Sequence, residues 1–212
     1  MGRLLPGERL VEADLVAALG VSRASVRAAL TRLAHEGLVE KQPNRGARVR
    51  LIGEVEAIEI TEARSVVEAL ASRYAALRAT DEELSELAAH LRLLERLYAD
   101  EDLLTYSDEN SRLHALILGA SHHTTAQRLA ASLQGQTVRF QYRTILLPGR
   151  AQQSLREHQA IVDSIVRHNF EAAEDAMRTH LWNLAMRLTE KMRLRVGLWP
   201  AAPEYELSEL LE

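Results

Sequence analysis

Three of the chain's eight histidines sit inside apolar helical stripes, where an imidazole is costly unless a partner holds it. His114 shares a face with Asn110, Leu113 and Ile117, and His158 with Leu155, Ile161, Val162 and Ile165. His180 lies with Ala173, Ala176, Met177, Leu181 and Leu184. Neutral imidazole is a good ligand for divalent transition metals, and Asn110, one turn before His114, aims an amide oxygen the same way. A single inward histidine is more often a hydrogen-bonded core residue. Three of them on separate helices point instead to a divalent metal held by Asn110, His114, His158 and His180, with zinc or nickel suited to those donors. An all-neutral ligand set leaves the cation's charge uncompensated, which favours an anion in the open positions. His90 falls off its helix's stripe, His122 and His123 lie in a break, His168 ends a helix and His35 is far upstream. These five read as surface or capping residues.

A second set of candidate residues is basic. The chain has 26 Lys and Arg against 30 Asp and Glu, a net charge of -4 that by itself argues against a nucleic-acid partner. The average hides an asymmetry: residues 1 to 52 hold nine of the bases and five of the acids, leaving 17 and 25 for the rest. A basic module on an acidic body suits a phosphate polymer as partner of the first part. Arg23, Ser25 and Arg27 open a helix there, placing donors where a recognition helix enters the major groove. Arginine pairs in two-pronged fashion with guanine O6 and N7, while Ser22, Ser25 and Arg45 reach phosphates or the minor groove.

The elements that must position these residues follow from punctuation and period. Residues 12 to 18 read as a helix stopped by Gly20, and Ser22 caps a second helix running to about Glu36. Residues 38 to 42 and 47 to 51 alternate around Pro43-Asn44-Arg45-Gly46, which predicts a β-hairpin wing. Between Glu54 and Leu118 there is neither proline nor glycine, so the body is helical. Its first inward stripe is Ala63, Val66, Val67, Leu70, Ala71 and Tyr74, and its second is Leu84, Leu87, Ala88, Leu91 and Leu94. The two are split at Thr80, which forms a capping box with Glu83. Further stripes over 103 to 118, 124 to 146, 151 to 168 and 170 to 193 bring the body to six helices.

The string Leu5-Pro6-Gly7-Glu8-Arg9-Leu10, then residues 19 to 30 with Ser22-Arg23-Ala24-Ser25-Val26-Arg27, Glu36-Gly37-Leu38-Val39 and Asn44-Arg45-Gly46, resembles the GntR family of bacterial transcription regulators. That resemblance covers residues 5 to 50 and implies DNA contacts from Ser22, Arg23, Ser25, Arg27, Asn44, Arg45 and Gly46. Members normally carry another helix before the Pro-Gly, whereas only Met1 to Leu5 precede it here, so this domain is expected to lack its first helix. Asn110 to His114, Glu157-His158-Gln159-Ala160-Ile161 and His180-Leu181 resemble the FCD domain of FadR-type members, with Asn110 where many carry aspartate. Six helices rather than seven favour the VanR-like branch. The resemblance also places Arg139, Tyr142 and Arg143 on the helix that wraps the effector cavity, where an arginine clamps a carboxylate.

The expected protein is mainly α: a winged helix-turn-helix over residues 1 to 53, an all-α six-helix antiparallel bundle over 54 to 194, and a tail over 195 to 212. With no cysteine, disulfides, thiolate zinc sites and cysteine nucleophiles are excluded. No apolar run is long enough to cross a bilayer, and no basic-then-apolar leader opens the chain, so a cytoplasmic protein without membrane contact is expected. The leading reading is a homodimeric transcription regulator on a palindromic operator, modulated by a small organic acid beside the metal, with coupling through the helix that starts at Glu54. Leu51-Ile52-Gly53 joins the parts, with Gly53 as a hinge. A metal-dependent helical enzyme is the alternative from another class, disfavoured because no His-Glu-x-x-His, duplicated Glu-x-x-His or Gly-rich phosphate loop is present. A DNA-binding regulator whose histidines form only a structural core is the third.

Overall fold

The computed structural model describes residues 4–42 and 46–196, and side chains at 138, 139, 141–143 and 191–196 lie outside the description. The chain opens with a short strand, β1 (Arg9–Leu10), followed by α1 (Glu12–Leu19). Gly20 stops α1 at φ 66°, a left-handed turn that is cheap without a Cβ. Ser22 caps α2 (Arg23–His35), its Oγ accepting the Ser25 backbone N–H at 3.1 Å. Strands β2 (Val39–Gln42) and β3 (Gly46–Val49) form the wing, with Val39 opposite Val49 and Gln42 opposite Gly46.

The sheet has a third member that alternation does not reveal. β1 pairs antiparallel with β3, Arg9 opposite Arg48 and Leu10 opposite Ala47, in the order β1-β3-β2. Two residues are too few to carry a period. Gly46 permits the approach: its φ is 85°, and a Cβ there would stand 2.3 Å from the Leu10 carbonyl oxygen. Leu10, Val26, Leu30, Val39 and Ala47 close a small core beneath the recognition helix.

Among the described residues six helices make the body: α3 (Glu54–Arg78), α4 (Asp81–Ala99), α5 (Leu103–Ala120), α6 (Thr124–Ile145), α7 (Arg150–Val166) and α8 (Phe170–Val196). Thr80 and Glu83 complete the capping box of α4, and the His123 ring accepts the Ala126 N–H at the start of α6. His168, at φ 55°, donates from Nδ1 to the Ala76 carbonyl at 2.9 Å. No helix among the described residues is long and apolar enough to cross a membrane.

Two sequence expectations are corrected here. The stripe assigned to the first body helix is only in part its inner face: Ala71 is buried and Val67 and Tyr74 are half-buried, but Ala63, Val66 and Leu70 are exposed. α3 is surrounded by α5, α6, α7 and α8, and its deepest face carries Thr61, Arg64, Glu68 and Ser72 among alanines. Counting apolar residues misplaces a helix whose buried side is polar because the site is there. His90 is also buried, not on the surface: its Nε2 donates to the Glu109 carbonyl at 2.8 Å across the α4–α5 contact.

The junction between the two parts is packed. Ile52 is buried in a cluster with Ala57, Ile60, Phe140 of α6 and Leu188 of α8, so the linker before Gly53 is seated in the bundle. From α6, Gln136 Nε2 donates to the Glu36 carbonyl at 3.2 Å and Ser132 Oγ reaches the same oxygen at 3.4 Å. Glu36 is the C-cap of α2. Arg50 donates to the Gly37 carbonyl at 3.1 Å and to Gln136 Oε1 at 3.2 Å, and pairs with Glu56 on α3.

Candidate functional site

His114 from α5, His158 from α7 and His180 from α8 meet in the bundle, and one ring nitrogen of each lies within 4.8 Å of the others. All three are buried. Each ring is aimed by its surroundings. His114 Nδ1 donates to Glu68 Oε2 of α3 at 2.6 Å, and His180 Nδ1 donates to Glu157 Oε2 of α7 at 2.7 Å. Such bonds fix the Nδ1–H tautomer, leaving the Nε2 lone pair on His114 and His180 as the ligand atom. His158 Nε2 lies 3.3 Å from His114 Nε2. Two nitrogens bound to one tetrahedral zinc at about 2.0–2.1 Å would be about 3.3 Å apart.

Each carboxylate is in turn held by a buried arginine. Arg64 Nε donates to Glu68 Oε1 at 2.7 Å, and its Nη1 approaches Thr137 Oγ1 of α6 at 3.5 Å. Burial would raise the Glu68 carboxyl, but the Arg64 guanidinium, the His114 ring beside it and their hydrogen bonds hold it down to about 2. Arg150 Nη1 donates to Glu157 Oε2 at 2.9 Å, while Gln153 and Asn183 both donate to Glu157 Oε1. Burial, then the charges of neighbouring histidines and Arg150, pushes the His158 and His180 imidazoles well below their ordinary value. Both are therefore neutral, the form that binds a cation.

Asn110, His114, His180, Arg64, Arg150 and Ser154 line one cavity of about 30 Å³. Asn110 Oδ1 and His158 Nδ1 are buried there or beside it with no hydrogen-bond partner. The structure thus brings together all four residues singled out as metal ligands. Arg139, Tyr142 and Arg143 fall in α6, but their side chains lie outside the described residues. Arg64, Glu68, Arg150 and Glu157 were missed as site residues. Arg64 and Glu68 are one turn apart in an alanine-rich stretch, a signal that a buried ion pair leaves in sequence. Glu157 adjoins His158, yet it serves His180 on another helix, which only the fold reveals.

At the other end of the chain Val26 and Leu30 bury one face of α2, and Ser22, Arg23, Ser25 and Arg27 are exposed on the remainder. With Arg9, Lys41 and Gly46 the two arginines border an open groove of about 790 Å³. Asn44 and Arg45 at the wing tip lie outside the described residues.

A basic winged helix-turn-helix ahead of a helical bundle defines a DNA-binding transcription regulator. Residues 1–49 match the bacterial regulatory proteins of the gntR family, and residues 59–183 match the FCD domain. The chain belongs to the GntR family and carries an FCD domain. An L-lactate dehydrogenase operon regulatory protein of Escherichia coli K12 is 30% identical, over 85% of this chain and 76% of the relative. The galactonate operon transcriptional repressor of the same strain is 26% identical, over 89% and 91%. Among solved structures, E. coli McbR/YncC has the same fold with TM-score 0.73 at 20% identity, covering 89% of this chain and 90% of that one. A GntR regulator of Rhodococcus sp. RHA1 gives 0.65 at 26% identity, with 87% and 88% covered.

Proposed function

We propose that the chain acts as a homodimer on a two-fold symmetric operator, its affinity modulated by a divalent cation and a small carboxylate at the histidine cavity. Residues 1 to 53 read DNA, with Arg23 and Arg27 on base edges and Ser22, Ser25, Gly46 and the wing tip at Asn44 and Arg45 on the backbone. Residues 54 to 194 hold the effector site, in keeping with a VanR-like member of the FadR type. One observation carries the reading: three buried imidazoles, two of them held neutral, converge, and His114 and His180 line a cavity that also holds the unpartnered Asn110 oxygen. A polar network serving packing alone would satisfy that oxygen.

Charge argues for an anionic effector. Arg64 offsets Glu68 and Arg150 offsets Glu157, so a divalent zinc or nickel ion bound by neutral donors keeps its charge. The cation supplies a Lewis-acidic seat for a carboxylate, and Arg64 and Arg150 line the same space. Relatives named for lactate and galactonate operons make hydroxy acids the class to test. Coupling runs through α6 as well as through the start of α3. Gln134 lines the cavity and Thr137 touches Arg64, while Ser132 and Gln136 on the same helix hold the C-cap of the recognition helix.

Metal analysis and melting curves test this proposal. One equivalent of zinc or nickel per chain is expected, and at a hundredfold excess over Kd it adds about 2.7 kcal/mol. That is a rise in Tm of roughly 5 to 11 °C for a chain of this length. EDTA removes the rise in the wild type and leaves His158→Ala unchanged, and lactate or galactonate changes operator affinity only with metal present. Melting curves indifferent to metal and chelator alike would assign the histidines to the core alone.

A further inference from the structure

Arg23 and Arg27 of the recognition helix are both turned toward one carboxylate on a different helix. Arg27 Nε lies 3.0 and 2.9 Å from the two carboxylate oxygens of Glu12, and Arg23 Nε lies 3.8 Å from the same group. Glu12 is the first residue of α1 and the only acid among the described residues that line the groove bordered by Arg9, Arg23, Arg27 and Lys41. The arginine side chains are 64% and 65% exposed, and exposed pairs of this kind add little to stability. A carboxylate on a face that meets phosphates also opposes binding. An acid in the first turn suits the dipole of α1, but the dipole does not require it to face both arginines.

Geometry supplies a reason. Glu12 occupies the Nε edge of Arg27, so Nη1 and Nη2 remain as a fork, the shape that matches guanine O6 and N7. A long arginine without that anchor contacts phosphates in many orientations, and such contacts carry no sequence information. We propose that Glu12 is a specificity-determining positioning residue: it presents Arg27, and at longer range Arg23, to base edges, while its charge weakens binding to DNA that offers phosphates alone. Removing the carboxylate therefore moves two affinities in opposite directions, which loss of α1 packing does not do.

A random duplex pool selected on the wild-type protein supplies the cognate duplex, and a scrambled duplex of equal composition is the reference. Glu12→Gln, which keeps the side chain's shape, is titrated against both by fluorescence anisotropy between about 50 and 200 mM salt. Affinity for the scrambled duplex should rise about three- to tenfold at low salt, with the slope of log K against log salt steeper by about one. Affinity for the cognate duplex should fall at least about fivefold, the lower bound for losing a good two-pronged base contact. In an Arg27→Ala background the same substitution should leave the ratio of the two affinities nearly unchanged. Equal shifts on both duplexes, or an undiminished effect without Arg27, would overturn the proposal. Melting curves of Glu12→Gln should match the wild type within about 2 °C, as expected for an exposed pair.

Discussion

Glu68→Gln is the most informative substitution in the bundle, since one carboxylate holds both Arg64 and His114. The amide keeps the shape and removes the charge, leaving Arg64 buried at 5% exposure without the carboxylate that balances it. Two routes give the magnitude. The depression of the Glu68 carboxyl from 4.5 to about 2 corresponds to roughly 3 kcal/mol of stability. Breaking a buried ion pair by removing one partner costs about 3 to 5 kcal/mol. For a chain of this length the loss is a fall in Tm of roughly 6 to 20 °C, seen equally as a lower urea midpoint at unchanged m-value. Metal affinity should fall about 10- to 100-fold as well, because His114 loses the acceptor that orients it. Adding Arg64→Met to Glu68→Gln should restore part of the stability, since the stranded charge is then gone. It should not restore the metal. A Glu68→Gln protein within about 1 kcal/mol of wild type, or a double variant whose losses simply add, would refute the argument that this pair is a buried, coupled unit.

In EDTA, stability should decline on acidification. The unfolded chain takes up protons at His158 and His180 near pH 6.5 and the folded chain does so only well below, so stability is complete above pH 6.5 and lost beneath it. Two such groups give a slope of about 2.8 kcal/mol per pH unit, and urea midpoints that are flat from pH 7.5 to 5.5 would contradict the neutral state of the two rings. The Glu68 contribution is complete above 4.5 and is lost as the pH falls toward 2. Gln136→Ala should remove the shorter of the two α6 hydrogen bonds to the C-cap of the recognition helix, leaving only the longer one from Ser132. Operator affinity in this variant should respond to metal and acid at least about fivefold less, the lower end of ordinary coupling, while their binding in calorimetry stays as in wild type.

Local rules account for what was legible before the structure. Gly20, Ser22, Thr80 and Glu83 act within one turn of themselves, so the helix boundaries they set need no tertiary information. His114, His158 and His180 stood out because each interrupts an apolar stripe on its own helix. What remained hidden depends on pairing across elements. β1 exists because β3 offers it an edge, and Glu12 meets Arg27 because α1 crosses α2. The inner face of α3 was misread for a further reason: its charged residues are buried with partners on other helices, and hydrophobicity marks burial only where such partners are absent.

The size of the histidine cavity has a kinetic consequence. Its 30 Å³ falls far short of the roughly 300 Å³ at which ordinary small-molecule sites begin. The small carboxylate proposed as effector is larger, so admitting it would require α5, α6, α7 or α8 to yield. Opening precedes capture, and the association rate should saturate as acid concentration rises, its ceiling being the rate at which the bundle breathes. Where α6 is the helix that yields, the displacement that admits the acid moves the element that holds the recognition helix. Capture and signal would then be one event, with no separate relaxation to wait for.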